Sequence, residues 1–258
     1  MNQWSLYLSA MVLALVRVSG IVAFAPFFSA DALPARSKAV FTLVVAFLLA
    51  PVIASLPGAD AEITVRTVLG EVAAGLVFGL TLALLNEILL FAGQVFGLQL
   101  SFSLVNLLDP TSSIQTPLMG ELLQWMGTLV VVVAGLDRVL LASLVRSFHA
   151  VPPGTYQMRP LTAAALVQAA GGIFLAALEL AAPVLAATLL VDVGVALMGK
   201  LSPQLPVMSL TVPLKTLAGF GMLIGSLALW PRFIEARFAG LLDLAQRLIA
   251  SAPGSGGG

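Results

Sequence analysis

The chain has 258 residues, of which 60% are hydrophobic and only 9% are charged, and its mean hydropathy is +1.07. Soluble domains are typically about 45–50% apolar and about 25% charged, so this composition excludes an ordinary soluble domain and a disordered chain. Twelve basic and twelve acidic residues cancel, which argues against a nucleic-acid partner. We therefore predict one all-α, multi-pass membrane domain over residues 1–250 and a flexible Gly-rich tail at 251–258.

Six hydrophobic segments follow one another along the chain. A membrane-spanning helix needs about 20 mostly apolar residues. In order, the segments are residues 6–28, 39–56, 68–92, 122–136, 163–198 and 212–230. The first is interrupted by Arg17 and has no basic residue before it, so it indicates a retained span instead of a cleaved signal peptide. Because segment lengths vary, between five and eight helices are compatible with this pattern.

Two of these segments have unusual lengths. The fourth is short unless it continues past Asp137 and Arg138 toward Phe148. The fifth is too long for a simple crossing, and Pro183 predicts a kink or a turn within it. The residues after Trp230 are interpreted as a tail, and their three arginines favour a cytoplasmic location. Arg36 and Lys38 lie in the first loop, which six spans would place on the opposite side, so the distribution of charge leaves the topology open.

The stretch 93–121 is moderately apolar but contains Asp109-Pro110, a Thr-Ser-Ser run and Pro117. Irregular backbone cannot face lipid, because its polar groups would lack hydrogen-bond partners. We therefore expect this segment to line a cavity, to pack inside protein or to lie in water.

The rare residue types exclude most catalytic sites. The chain has no cysteine, which removes disulfides, thiolate nucleophiles and iron–sulfur ligation. Its only histidine, His149, cannot form a multi-histidine metal site, and we predict a loop position for it because Pro152-Pro153 follows. No nucleophile–base pair or phosphate-binding loop is evident, so we expect no enzymatic activity, no metal and no cofactor.

Glycine pairs and isolated charges mark the apolar segments. Gly75 and Gly79, and likewise Gly93 and Gly97, have the small-xxx-small spacing that lets helices approach closely, within the chain or, less favoured, between subunits. A charge at the bilayer centre costs about 2.5–3.5 kcal/mol on insertion scales, so each such residue needs a partner or water. Structural pairing is favoured over an ion or proton pathway for these charges: Arg17, Glu71, Glu87, Glu179 and Asp192.

Several phrases together resemble one family. Ser-Pro-Gln-Leu-Pro-Val at 202–207, followed by Pro213-Leu214-Lys215, is similar to a Pro-Gln-x-Asn-Val…Pro-x-Lys signature. Asp109-Pro110 with Pro117 resembles the same family's Asp-Pro…Pro loop, and the glycine ladder from Gly70 to Gly97 also matches. The family is the FliR/SctT family of type III export-gate proteins, and the resemblance runs from about Leu6 to Arg237. Departures at Pro206 and at Asp137-Arg138 leave the flagellar and injectisome subfamilies open.

The resemblance implies a non-enzymatic subunit built of bent helical hairpins, similar to a fusion of the FliP and FliQ folds. Such a subunit would complete a helical export-gate ring in the bacterial inner membrane, at a flagellar basal body or an injectisome. Its implied partners are FliP-like and FliQ-like subunits, FlhB-like and FlhA-like components, unfolded export substrates and membrane lipid. It would act as a structural and gating subunit of protein export.

Two sets of residues gain a role from the resemblance alone. The family's loop corresponding to 105–119 looks like a pore plug, which points to Leu107, Leu108, Asp109, Pro110, Ile114 and Pro117. The signature residues are Pro203, Gln204, Pro213 and Lys215. The main alternative function is a transporter of a small solute, but the chain has no clear internal repeat of the kind that such transporters often carry.

Overall fold

A computed structural model describes residues 3–25, 34–57, 62–100, 118–202, 204 and 207–251. Within these ranges the secondary structure is helical, with no β-strand, which confirms the all-α prediction. The described helices are α1 (Gln3–Phe24), α2 (Ala35–Ala54), α3 (Val65–Gln99), α4 (Leu118–Val133), α5 (Leu136–Ala150), α6 (Pro160–Leu201), α7 (Val207–Ser226) and α8 (Trp230–Ala250), with a 3₁₀ turn at Leu227–Leu229.

Six stretches of the described chain are long and apolar enough to cross a membrane. Five are Trp4–Phe24, Ala35–Ala54, Val65–Gln99, Pro160–Leu201 and Ser209–Ala250, and the sixth is the bent pair of α4 and α5. They correspond one for one to the six hydrophobic segments, which confirms that prediction. Much of their surface lies outside any core, because only 17–56% of each of the five apolar windows is buried.

Helices α4 and α5 meet at a bend of 73°. Gly135, between them, has φ +68°, a left-handed conformation that glycine adopts without steric cost. The fourth segment thus continues past Asp137 and Arg138 to Ala150, as the longer of the two predicted versions requires.

Prolines lie inside three of the helices without ending them. Pro51, Pro183 and Pro213 are interior residues of α2, α6 and α7. The possibility of a turn at Pro183 is therefore wrong, since α6 continues for 42 residues. Neighbouring helices and side chains re-satisfy the backbone groups that a proline frees in apolar helices. At about 1.5 Å per residue α6 is roughly 63 Å long, about twice the thickness of a hydrocarbon core.

Three further local predictions are wrong. The predicted mixed segment 93–121 is too long at both ends, because residues 93–99 continue the apolar helix α3 and residues 118–121 begin α4. The residues after Trp230 form the amphipathic helix α8 and not a tail. His149 lies in the last turn of α5, exposed, because the helix ends only before Pro152.

The chain divides into two compact units. Unit 1 contains Met1–Leu85, Val131–Gly171 and Ala236–Gly258. Helices α1 and α2 pack against each other in it, with the Tyr7 ring edge-on to Phe47 at 6.2 Å. Its core contains fully buried apolar side chains from several helices, among them Leu13, Phe78, Leu82, Phe148 and Phe238.

Unit 2 contains Asn86–Val130 and Gly172–Glu235. The Phe96 ring stacks on the Trp230 indole with centroids 6.1 Å apart and planes within 7°. Other buried side chains in its core are Leu89, Leu123, Val184 and Leu223. Each unit therefore has an apolar core of its own, within the described residues.

Candidate functional site: charges and glycines between apolar helices

A buried ion pair joins α1 to α3 in unit 1. The Arg17 Nε donates to Glu71 Oε2 at 2.6 Å, and its Nη2 donates to Oε1 at 2.9 Å. Both side chains are completely buried. This two-pronged geometry is the strong form of an arginine–carboxylate contact, because two parallel N–H groups meet two oxygens. Two of the isolated charges in the sequence are thus each other's partners.

The remaining hydrogen-bonding groups of this pair bind backbone. The Arg17 Nη1 donates to the carbonyl oxygens of Ser147, at 3.1 Å, and Val151, at 3.2 Å, and Nη2 also donates to Val151 at 3.1 Å. These carbonyls lie at the C-terminal end of α5, where the helix dipole favours a cation, and the Ser147 carbonyl oxygen also accepts the Val151 N–H at 3.0 Å. The guanidinium carbon lies 4.2 Å from the centre of the Phe148 ring, a cation–π contact.

The loop between α5 and α6 completes this cluster. The Gly154 N–H donates to Glu71 Oε1 at 2.8 Å, and Gly154 has φ +80°, which only glycine adopts readily. Nearby, Gly70 lets α3 approach the loop, because a Cβ atom there would lie 2.7 Å from the Tyr156 carbonyl oxygen. Burial raises the pKa of the Tyr156 hydroxyl. We call Arg17, Glu71, Phe148, Val151 and Gly154 the Arg17 cluster.

A second ion pair joins α6 to α7 in unit 2. The Lys215 Nζ lies 2.7 Å from Asp192 Oδ2, and the two side chains are 16% and 44% exposed. Lys215 belongs to the signature phrase, so the structure gives that residue a physical contact that sequence reasoning could not assign. Of the other signature residues, Pro213 and Gln204 are exposed, and Pro203 lies outside the described residues.

The glycine pairs differ in what surrounds them. A Cβ atom at Gly75 would lie 2.6 Å from the Arg17 carbonyl oxygen, and one at Gly79 would lie 2.5 Å from that of Gly20. Gly93 meets the backbone of Gly120 even more closely, whereas Gly97 has no described atom within 4 Å of its Cβ position. Gly20 was missed by the sequence analysis because it has no glycine partner at the diagnostic spacing.

The remaining two acidic residues of the apolar segments lie at the surface. Glu87 on α3 and Glu179 on α6 are both exposed. Among the described residues, no group of three or more histidine, cysteine, aspartate or glutamate residues could hold a metal ion. The candidate plug residues Leu107, Leu108, Asp109, Pro110, Ile114 and Pro117 all lie outside the described residues, as does most of the tail at 251–258.

A cleft of about 270 Å³ opens between α5 and α8 in unit 1. Arg146 and Arg247 line it, and Asp243 contacts Arg247 at 2.6 Å. Arg247 lies in the last turn of α8, where a cation offsets the negative end of the helix dipole. The chemistry of the molecule is thus the pairing of charges and the close packing of helices, and the described residues present no catalytic arrangement.

Comparisons with known proteins agree with a membrane protein that has no catalytic site among its described residues. The family description "Bacterial export proteins, family 1" matches residues 8–241. Similar curated proteins are each named "Flagellar biosynthetic protein FliR". That of Escherichia coli (strain K12) is 26% identical, covering 98% of this chain and 97% of the relative. That of Caulobacter vibrioides is 28% identical over 93% and 96% of the two chains, and that of Bacillus subtilis is 25% identical over 93% and 95%.

The family match covers most of the chain and every described helix, at least in part. It confirms the resemblance to the FliR/SctT family and the predicted membrane location. Because proteins of this family are not enzymes, the match also confirms that the chain is not an enzyme. This protein therefore belongs to family 1 of the bacterial export proteins.

Proposed function

We propose that this chain is the structural and gating subunit that completes the entrance pore of a flagellar type III export apparatus. The observation that carries the proposal is the match along 93–98% of the chain to flagellar biosynthetic proteins of three bacteria. The partners we propose are FliP-like and FliQ-like subunits, with FlhB-like and FlhA-like components nearby. Unfolded export substrates are the proposed cargo.

The distribution of apolar surface supports a role inside an assembly. Helix α7, with the 3₁₀ turn and α8, belongs to a stretch whose apolar window is only 17% buried, and α6 is 33% buried in the same measure. Lipid could cover such surface only over about 30 Å of each helix. Because α6 is roughly twice that length, neighbouring subunits are the natural cover for the remainder.

Paired charges support a static framework for the gate. A proton or ion pathway needs ionisable groups that water can reach, but the Arg17 pair is completely buried and bonded to backbone on its other sides. Such a cluster fixes helices in one arrangement. The moving part of the gate is then the segment at 105–119, whose apolar residues would seal the pore and whose polar neighbours would let it move aside.

The test is complementation with a biochemical readout. A flagellated bacterium from which its own FliR gene has been deleted receives this gene with an affinity tag, and we measure swimming, export of flagellar proteins and co-purified membrane subunits. The cognate partners are supplied with it, and we expect FliP-like and FliQ-like proteins to co-purify and swimming to be restored. A monomer without these subunits, together with solute flux in liposomes by the isolated chain, would replace the proposal with the small-solute transporter.

A further inference from the structure

An exposed carboxylate interrupts the apolar surface of α3 in unit 2. Glu87 is the 23rd residue of this 35-residue helix, and its side chain has no ion pair or hydrogen bond among the described residues. Its neighbours Ile88, Leu89 and Ala92 are buried in the core of the unit. Because these residues fix the rotation of the helix, Glu87 cannot turn inward.

Glu87 belongs to a continuous face. Residues 87, 91, 94 and 98 follow one another at spacings of four, three and four, which places them on one side of a helix. Gln94 is exposed, and Leu98 is 66% exposed. The Phe91 ring meets Phe174 of α6 edge-on, with centroids 4.8 Å apart, and Phe174 is itself 57% exposed. We call Glu87, Phe91, Gln94, Leu98 and Phe174 the Glu87 face.

Charge is unevenly divided between the two units. Unit 2 contains six acidic and three basic residues, and unit 1 contains six acidic and nine basic residues. Of the three basic residues of unit 2, Lys215 is bound to Asp192. The face is therefore a largely apolar surface with one negative charge that no described residue pairs, on a unit with a net negative charge. Its electrostatic complement is an apolar surface with a positive charge.

We infer that the Glu87 face docks an apolar helix of another membrane subunit, and that this helix presents a lysine or an arginine to the Glu87 carboxylate. The inference rests on the proposed function, because it names the chemistry of a partner within the export assembly. An unpaired carboxylate among apolar helices is unfavourable in lipid. A basic partner removes that cost, and Phe91, Phe174 and Leu98 supply the apolar contact around the pair. Gln94, one further turn along, adds a hydrogen-bonding group that fixes the register of the docked helix.

Other occupants make different predictions. A second copy of the chain would bring two Glu87 carboxylates together, and like charges repel. Water over the face would leave Glu87 accessible in the assembled complex. Lipid alone would cover the face in the absence of any other protein. The experiment separates all three from a basic helix.

Reversing the charge at position 87 tests the proposed pair of Glu87 with a basic residue of the partner helix. The full-length tagged chain is expressed with its membrane partners as wild type, Glu87→Lys, Glu87→Gln and Glu235→Lys. The last is the matched control, an exposed carboxylate of unit 2 on the amphipathic helix α8. Like charges across an interface cost several kcal/mol, so we expect Glu87→Lys to lower the yield of co-purified partner at least about tenfold. Glu87→Gln should have a smaller effect and Glu235→Lys none, and reversal of one basic residue in the partner helix should restore the Glu87→Lys complex.

A labelling experiment tests whether another subunit covers position 87 in the assembled complex. Because the chain has no cysteine, Glu87→Cys introduces its sole thiol. We expect a water-soluble maleimide to label this thiol in the isolated chain in detergent and to leave it unlabelled in the assembled complex. Equal labelling in both states, protection in liposomes of the isolated chain alone, cross-linking to a second copy, or normal co-purification of Glu87→Lys would each overturn the inference. If the wild-type chain captures no partner, the proposed function fails first.

Discussion

Arg17 and Glu71 show how a single residue pair organises four parts of unit 1. The guanidinium is bound by a carboxylate of α3, by two carbonyls at the end of α5 and by the Phe148 ring, and the same carboxylate binds the loop at Gly154. Removing one partner of a buried pair leaves an uncompensated charge, which is far more costly than replacing both partners with apolar groups. The pair therefore specifies which helices meet.

We predict that Glu71→Gln lowers the free energy of unfolding of the isolated chain by about 3–5 kcal/mol, because the buried guanidinium loses its counter-charge. Denaturant unfolding in detergent, followed by circular dichroism, measures the change. Asp243→Asn is the matched control, since its ion pair with Arg247 is 56% and 76% exposed and pairs of that kind contribute at most about 1 kcal/mol. Similar effects of the two substitutions would contradict the prediction.

At this scale the sequence predicts the need for a partner but not its identity. Arg17 and Glu71 stand out as charges in apolar runs, and hydropathy arguments correctly require that they be satisfied. They are 54 positions apart, and any of several acidic residues could have served Arg17. The contacts of Arg17 with the carbonyl oxygens of Ser147 and Val151 cannot be predicted from the sequence, because every residue has a backbone carbonyl.

Between elements, the contact of α1 with α3 depends on the absence of side chains. Gly20 lies opposite Gly75 and Gly79, so the two backbones are closer than any pair of Cβ atoms would permit. Close approach of this kind strengthens van der Waals packing between apolar helices, which have no hydrophobic driving force in lipid. The Arg17 pair joins the same two helices, and its short contacts require that proximity.

Gly79→Ala should separate these helices and lower the free energy of unfolding by about 1–3 kcal/mol, because the added methyl group meets backbone and not a movable side chain. Gly97→Ala, in the same helix, has open space around it and should raise stability by up to about 1 kcal/mol, since alanine is the better helix former. Unfolding of both variants in detergent provides the comparison. A loss of stability in Gly97→Ala equal to that in Gly79→Ala would refute the packing argument.

Helix α8 illustrates what a hydropathy scan overlooks. Its mean polarity is too high to suggest a span, yet Ile234, Phe238, Leu242, Ala245 and Ile249 recur at helical spacing and are all buried. The periodicity was present in the sequence and would have identified the helix. The bend at Gly135 is a different case, because a left-handed glycine is not distinguishable by composition from the many glycines that sit in ordinary helices.

For the whole molecule, the order of the short sequence motifs along the chain was more informative about the family than any single motif. The phrases led to the correct family, because their sequence and spacing are shared along nearly the full chain. Individual residues of the proposed plug and of the signature could not be placed by the same means. The proposed plug residues lie outside the described residues, and Lys215 acquires its contact with Asp192 only when α6 and α7 come together.

We predict that deleting residues 112–116 leaves assembly of the export complex intact but makes its pore leaky to small ions, because the proposed plug would be too short to seal it. Ion conductance of the purified complex in planar bilayers is the measurement, with co-purified subunits as the check on assembly. Wild-type complex serves as the control. An unchanged conductance in a correctly assembled complex would contradict the plug role of residues 105–119.

Because Glu71 follows Arg17 by 54 positions, the two partners of the ion pair are synthesised at different times. A ribosome releases α1 first, so the guanidinium reaches the insertion machinery well before its carboxylate has been synthesised. Until then the charge of α1 costs about 2.5–3.5 kcal/mol at the bilayer centre, a cost that the apolar residues of this helix outweigh. Pairing with Glu71 removes the cost, so we expect α1 to be held in the bilayer more firmly once α3 has been inserted beside it.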